Sequence, residues 1–472
     1  MGSRGVSSRP GPRTPAPLTR NGLIYLCAAL VCIALGAITA AGTAWNPIYA
    51  MVIVAVLIAS ATLRWPAMAL VGALVIATLG GRDAAHWTIP VPALGLPLPV
   101  LETLLALSAG AALLHLVSSR SLTTSSQSLV VLLWIPSAVW GLALFVLANE
   151  GDLISGARET LLFVYPLLVA LPLAATRASS VRRFVEERAW ILIFALALAV
   201  TAIGAWNFAT GGTLDLPTGQ VRSLSGERSS VLAAGAFTAL WLLEARRHRL
   251  AGIVLLAASL MGLVFVNHRS AYVGVILAGL LYVLAHPRRD PSTKRLAPTM
   301  LIAALAGLIL AVTPLGQAGV DRFIATVETD DPNVQFRFGA ISAAVEKDDV
   351  WEAAYGSGVG LQPTELGGTF DPLTVTRIEP HNSYVSMFQR GGVVGVLLLV
   401  VPMLYCIWEM LKQRADPQIR ILLSIAVFTT VMAGFNVVLE NFYFGAWVWL
   451  PLLGGTMLAL SRRAGSTTAQ AP

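Results

Sequence analysis

Apolar runs of about 18 to 22 residues recur along the chain, separated by short polar turns. A helix of that length crosses roughly 30 Å of hydrocarbon. The pattern predicts about 14 spans, centred near residues 32, 55, 73, 108, 138, 167, 197, 237, 258, 278, 307, 402, 430 and 451. Very short links between the first four widen the range to about 12–14. The expected fold class is all-α, a polytopic transmembrane helical bundle, because lipid leaves backbone polar groups no partner outside a helix or a closed barrel.

One interval breaks the rhythm. Residues 316–383 form a polar stretch of 68 residues with acids from Asp321 to Glu379. A loop so long is usually functional or disordered. Here the helix-like Phe336–Val345 and the cluster Gly356-Ser357-Gly358-Val359-Gly360 argue for a small folded cap. The organisation expected is a disordered cytoplasmic N-tail at 1–21 and a first bundle segment of about 11 spans at 22–315. A large extracytoplasmic loop at 316–383 follows, then about three spans at 384–461 and a cytoplasmic C-tail at 462–472. A cleavable signal peptide is the weaker reading of the N-terminus, since no convincing cleavage site follows the first apolar run.

Composition agrees with a membrane protein: 56% of residues are hydrophobic and 12% charged. The net charge of +7 does not point to nucleic acid. About 22 of the 32 Lys and Arg fall in loops expected on the cytoplasmic side, which orients both termini inward. Trp45, Trp87 and Trp206 lie at expected outer boundaries. Cys27, Cys32 and Cys406 all sit in apolar runs and suggest neither a disulfide framework nor a metal cluster.

Ionisable residues inside spans mark substrate or ion pathways. Here almost none falls at mid-span: Glu102, Glu409 and Glu440 lie near span ends. The polar residues gather at the outer mouth instead. Arg158 opens one span, Arg222 and Arg228 precede another, Arg269 occupies a tight turn, and Arg337 and His381 lie in the long loop. Outward arginines oppose the inside bias of positive charge, so something must compensate them. A lipid diphosphate suits, because guanidinium forks match phosphate oxygens bidentately.

The stretch His381-Asn382-Ser383-Tyr384, followed after nine intervening residues by Gly392-Val393-Val394-Gly395, resembles the signature of the O-antigen ligase and polymerase family. Arg337 with the glycine cluster at 356–360 resembles that family's Arg, helix, Gly-x-Gly segment. Asn267-His268-Arg269-Ser270 resembles its Ser-Arg turn. The loop from Arg222 to Gly226 is similar to a family loop, with Glu227-Arg228-Ser229 where Asn-Pro-Asn is often found. The resemblance covers roughly residues 150–460 and implies a metal-independent glycosyltransferase without cofactor. Such an enzyme moves a glycan from an undecaprenyl-diphosphate carrier to an acceptor hydroxyl, on a glycan or glycolipid, at the outer face of the bacterial cytoplasmic membrane. It implies that arginines hold the diphosphate and that a histidine acts near the acceptor.

The chemistry suits the residues. The leaving diphosphate needs positive charge, which Arg269, Arg337, Arg158 and Arg222 supply. The acceptor hydroxyl needs a proton acceptor of near-neutral pKa, which His381 supplies. Plainer readings stand beside these: a boundary histidine that caps a helix, a snorkelling Arg269, and an Arg337 paired with Asp330 or Glu346. His268 reads as a bystander, and Asp330-Asp331 as turn residues before a cation site. The glycine cluster reads as a turn before a phosphate cradle. The rival function is a lipid-linked glycan flippase or polysaccharide transporter, which would spread charge through a central cavity. A non-catalytic membrane scaffold is the third.

Overall fold

The computed structural model describes residues 67–81, 88–91, 96–119, 125–149, 153–212, 214–215, 221–245, 248–286, 341, 349–360, 382–436 and 438–468. Every described residue lies in one compact unit, within Asn46–Pro472. The expected spans centred near 32, 55 and 307 lie outside the described residues. So do Cys27, Cys32, Trp45, Trp87, Arg337, His381 and nearly all of the long loop.

Fourteen α-helices order the described residues. They are α1 (Ala67–Gly80), α2 (Val100–Ser119), α3 (Ser125–Leu132), α4 (Ile135–Leu147), α5 (Leu153–Ala174), α6 (Ala178–Phe184) and α7 (Trp190–Thr210). A π-helical turn, Val185–Ala189, joins α6 to α7. After them come α8 (Ser229–Glu244), α9 (Arg249–Val266), α10 (Arg269–Leu284), α11 (Val350–Tyr355), α12 (Ser383–Lys412), α13 (Pro417–Ala433) and α14 (Phe442–Thr468). Every expected span centre among the described residues falls inside one of these helices, and α14 runs past residue 461 to Thr468. Among the described residues, seven spans are long and apolar enough to cross a membrane, and three shorter apolar helices accompany them. The protein is a multi-pass helical membrane protein. Two antiparallel hairpins punctuate the helices: β1 (Thr88–Val91) with β2 (Leu96–Pro99), and β3 (Leu214–Asp215) with β4 (Val221–Arg222).

Helix α14 is the central post. It packs on α1, α3, α5, α12 and α13, and most of its span is buried within the bundle. Trp449 meets Trp134 edge-to-face at 5.3 Å, and Trp447 Nε1 donates to Thr78 Oγ1 at 3.0 Å. The second buried helix, α8, lies among α7, α9 and α13. In lipid, apolar side chains gain little by leaving the acyl chains for a neighbouring helix, so close packing over small residues carries association. Gly262 shows this: a Cβ there would stand 2.7 Å from Thr201 Oγ1, so α9 approaches closely only because the side chain is absent.

The basic turns share one end of the bundle. Arg182 and Arg462 both reach Asp416, at 3.7 and 2.5 Å. Asp416 also caps α13 by accepting from Gln418 N at 2.9 Å, with Pro417 next in the chain, a typical start signal. Arg420 Nη2 pairs with Glu244 Oε2 at 3.1 Å, and His286 Nε2 lies 3.3 Å from Glu244 Oε1. The opposite end carries the starts of α10, α12 and α14.

Candidate active site

The turn from α9 to α10 is two residues long. Asn267 adopts a left-handed conformation (φ 43°), which asparagine tolerates better than most residues, and closes α9. His268 is extended and precedes Arg269, the first residue of α10. His268 is buried against Gly226, where a Cβ would stand 2.9 Å from the imidazole Cδ2. Directly after Arg222, Ser223 N donates to Phe265 O at 3.2 Å. The Arg222 loop and the Arg269 turn are therefore neighbours through their backbones.

A chain of hydrogen bonds leads from this turn to the start of α12. Asn436 Nδ2 donates to Ser270 Oγ at 2.9 Å, and Ser270 Oγ lies 2.6 Å from His268 Nδ1. Which of Ser270 and His268 donates in that bond follows the imidazole tautomer. Ser383 Oγ accepts from Val438 N and Leu439 N at 2.8 and 3.0 Å. Its hydrogen points to Glu440 Oε2 at 2.5 Å, with Asn436 O at 3.1 Å. Asn382 caps α12, its Oδ1 accepting from Tyr384 N and Val385 N at 3.0 and 3.2 Å. So Ser270, next to Arg269, and Ser383, two residues after His381, are both fixed to one turn, that between α13 and α14.

The glycine motifs meet in space. Helix α12 breaks at Gly392, whose φ of 62° and ψ of −164° suit only glycine. A side chain there would strike the backbone of Ala354 and Tyr355, and one at Gly356 (φ 84°) would strike that of Arg390. Loop amides close the joint: Ser357 N donates to Gln389 O at 2.7 Å, Gly358 N to Arg390 O at 3.2 Å, Val359 N to Ala148 O at 3.1 Å. Gly360 N donates to Glu159 Oε2 at 2.8 Å. These N–H groups are engaged within the protein, so the cluster is a packing turn and offers no amide nest for phosphate.

Charge gathers at the same place. Arg390 Nε stands 3.4 Å from Glu159 Oε2, and Arg390 Nη1 stands 3.8 Å from Glu440 Oε1. Burial pushes the Glu440 carboxyl above the usual carboxylate range, and the Arg390 guanidinium and Ser383 hydroxyl pull it back in part.

Of the residues expected from sequence, Arg158 is exposed on α5, beside Glu159. Arg222 and Arg269 are placed by their backbones, in β4 and at the start of α10. Sequence reasoning missed Arg390, Glu159 and Asn436, and treated Glu440 only as a span-end acid. An arginine seven residues into a long apolar helix, directly before Gly391-Gly392, was the available signal.

Fold and site define a polytopic membrane protein with a polar cluster at one end of its helical bundle. Residues 254–400 match the family model described as O-antigen ligase. This match supports an O-antigen-ligase-like family for the chain, and with it glycan transfer of ligase or polymerase type in general. The match takes in the Arg269 turn, the glycine loop and the break in α12, while Arg158, Arg222 and Glu440 lie outside it. No curated protein matches the chain.

Proposed function

We propose that the protein transfers a glycan from an undecaprenyl-diphosphate-type carrier to an acceptor hydroxyl, at the outer face of the bacterial cytoplasmic membrane. Both termini are cytoplasmic and the partners are the lipid-linked donor, a glycan or glycolipid acceptor and the surrounding lipids. The observation that carries this reading is the hydrogen-bonded chain Ser270–Asn436–Ser383, which ties the Arg269 turn to the helix start that follows His381.

The acceptor oxygen attacks the anomeric carbon of the donor sugar, and the bond from that carbon to the diphosphate oxygen breaks. The proton leaves the hydroxyl for His381, and the electron pair leaves with the lipid diphosphate. Arg269, Arg337, Arg158 and Arg222 neutralise the charge that grows on the leaving group, so the step needs no metal. The gathering of arginines and of a buried charge cluster at one end favours a transferase over a flippase. Purified protein in detergent or nanodiscs, given a lipid-diphosphate-linked glycan and an acceptor, is expected to form the glycosidic product. Donor translocation without product would replace this reading with the transporter.

A further inference from the structure

Glu440 is a buried acid at the site that the transfer chemistry leaves without a role. Its surroundings are specific. Before the break at Gly392, α12 runs only from Ser383 to Gly391. Ser383 and Arg390 lie seven residues apart, on one face of that short helix. Glu440 meets both, through Ser383 Oγ at 2.5 Å and Arg390 Nη1 at 3.8 Å. Arg390 in turn meets Glu159, which is bound to the glycine loop through Gly360 N. One guanidinium thus faces two carboxylates, with side-chain exposures of 16% for Arg390, 13% for Glu159 and 9% for Glu440.

Such a cluster costs desolvation energy that an apolar contact would not, and so is weak evidence for stability. Its geometry gives it another use. Glu440 grips the helix at its first and last turns, while Gly392 uncouples that helix from the long span behind it. The glycine loop supports it from the other side through Glu159. These contacts join the backbone bonds from Ser357 and Gly358 and the Tyr384 hydroxyl bond to Thr430 O in setting the tilt of the short helix about the Gly392 break.

We propose that Glu440 is a positioning residue for glycan transfer. It sets the first turns of α12, the helix that begins two residues after His381. This inference rests on the reading of His381 as the proton acceptor. A displacement of about 1 Å at a reacting group can cost on the order of 10²-fold in rate. Nothing in the cluster is assigned to the diphosphate, so the effect belongs in kcat and not in donor KM.

The test is steady-state transfer by the full-length purified protein with a lipid-diphosphate-linked glycan donor. Glu440→Gln is expected to lower kcat about 10²-fold and to leave donor KM unchanged. Ser383→Ala removes the hydroxyl bridge alone and is expected to lower kcat in the same direction, by less. Wild-type kcat in Glu440→Gln, or a rise in donor KM equal to the loss in kcat, overturns the proposal. Should Glu440→Gln not be recovered folded, Ser383→Ala decides, and an unchanged kcat rejects it. His381→Ala is measured beside them. An inactive His381→Ala with fully active Glu440→Gln and Ser383→Ala rejects the positioning role alone, whereas an active His381→Ala rejects the base assignment itself.

Discussion

Gly356 rests on the backbone of Arg390, with no room for a Cβ between them. Gly392, two residues further, makes the reciprocal contact with Ala354 and Tyr355. Both hold positive φ, so alanine at either position adds left-handed strain of about 1–2 kcal/mol to overpacking of about 1–3 kcal/mol. Gly356→Ala and Gly392→Ala are each expected to lose about 2–5 kcal/mol on those terms, read as a marked fall in melting temperature in detergent. Gly110, mid-helix in α2 with nothing within 4 Å of its missing Cβ, is the control. Gly110→Ala is expected to leave the melting temperature unchanged or raise it. Equal behaviour of the three variants would refute the account of this joint.

How much of this was legible beforehand differs between fold and site. Helix positions follow hydropathy, because lipid imposes the same demand on every span, and so the expected centres at 73, 108, 197 and 451 fall inside helices. The His381 and glycine motifs were visible as local patterns. That the two glycine segments pack on each other was not, since backbone contact across a long loop leaves no periodic trace. Nor was the group Glu159–Arg390–Glu440. Each member alone looks like an ordinary span-end charge, and only the fold brings α5, α12 and the α13–α14 turn together. The hairpins β1–β2 and β3–β4 were also unforeseen, because Thr88–Val91 and Leu214–Asp215 are too short to show alternation.

The opposite end holds a buried pair whose removal is informative. Arg420 and Glu244 have side-chain exposures of 4% and 5%, with the Arg420 guanidinium also stacked over the Tyr282 ring at 5.2 Å. Deleting Arg420 takes the guanidinium from the buried Glu244 carboxylate and leaves it beside His286, at a cost of up to about 3–5 kcal/mol. Arg420→Ala is expected to destabilise by that order, and Arg420→Met combined with Glu244→Gln by clearly less. Thermal unfolding in one detergent compares them. A double variant as unstable as the single would show that packing, not charge pairing, sets the cost.

Chelation addresses the metal-free chemistry. On the proposed mechanism arginine positive charge neutralises the leaving group, so transfer is expected to continue in excess EDTA at its untreated rate. Activity that disappears in EDTA and returns with Mg²⁺ or Mn²⁺ would assign charge neutralisation to a cation and leave the arginines with binding alone.

The roles of histidine and arginine separate in kinetics. If His381 accepts the proton, His381→Ala removes a contribution of about 10²–10⁴-fold in rate. Donor binding is expected to stay near wild type, because in that role the imidazole acts on the acceptor hydroxyl. Arg269→Ala and Arg337→Ala each remove a charged partner of the diphosphate, so they weaken donor binding as well as rate. Lysine at those positions keeps the charge and loses the planar fork, so rescue is partial. Arg158 is exposed on α5 and Arg222 precedes a strand turn, and their alanine variants are expected to shift donor affinity less than Arg269→Ala. Rate and donor affinity are measured separately, by product formation and by equilibrium binding of the lipid-linked donor. Parallel losses of rate and affinity in His381→Ala would move that residue into the diphosphate site, and the proton acceptor would then be sought among the other polar groups at this end, His268 and Glu440 first.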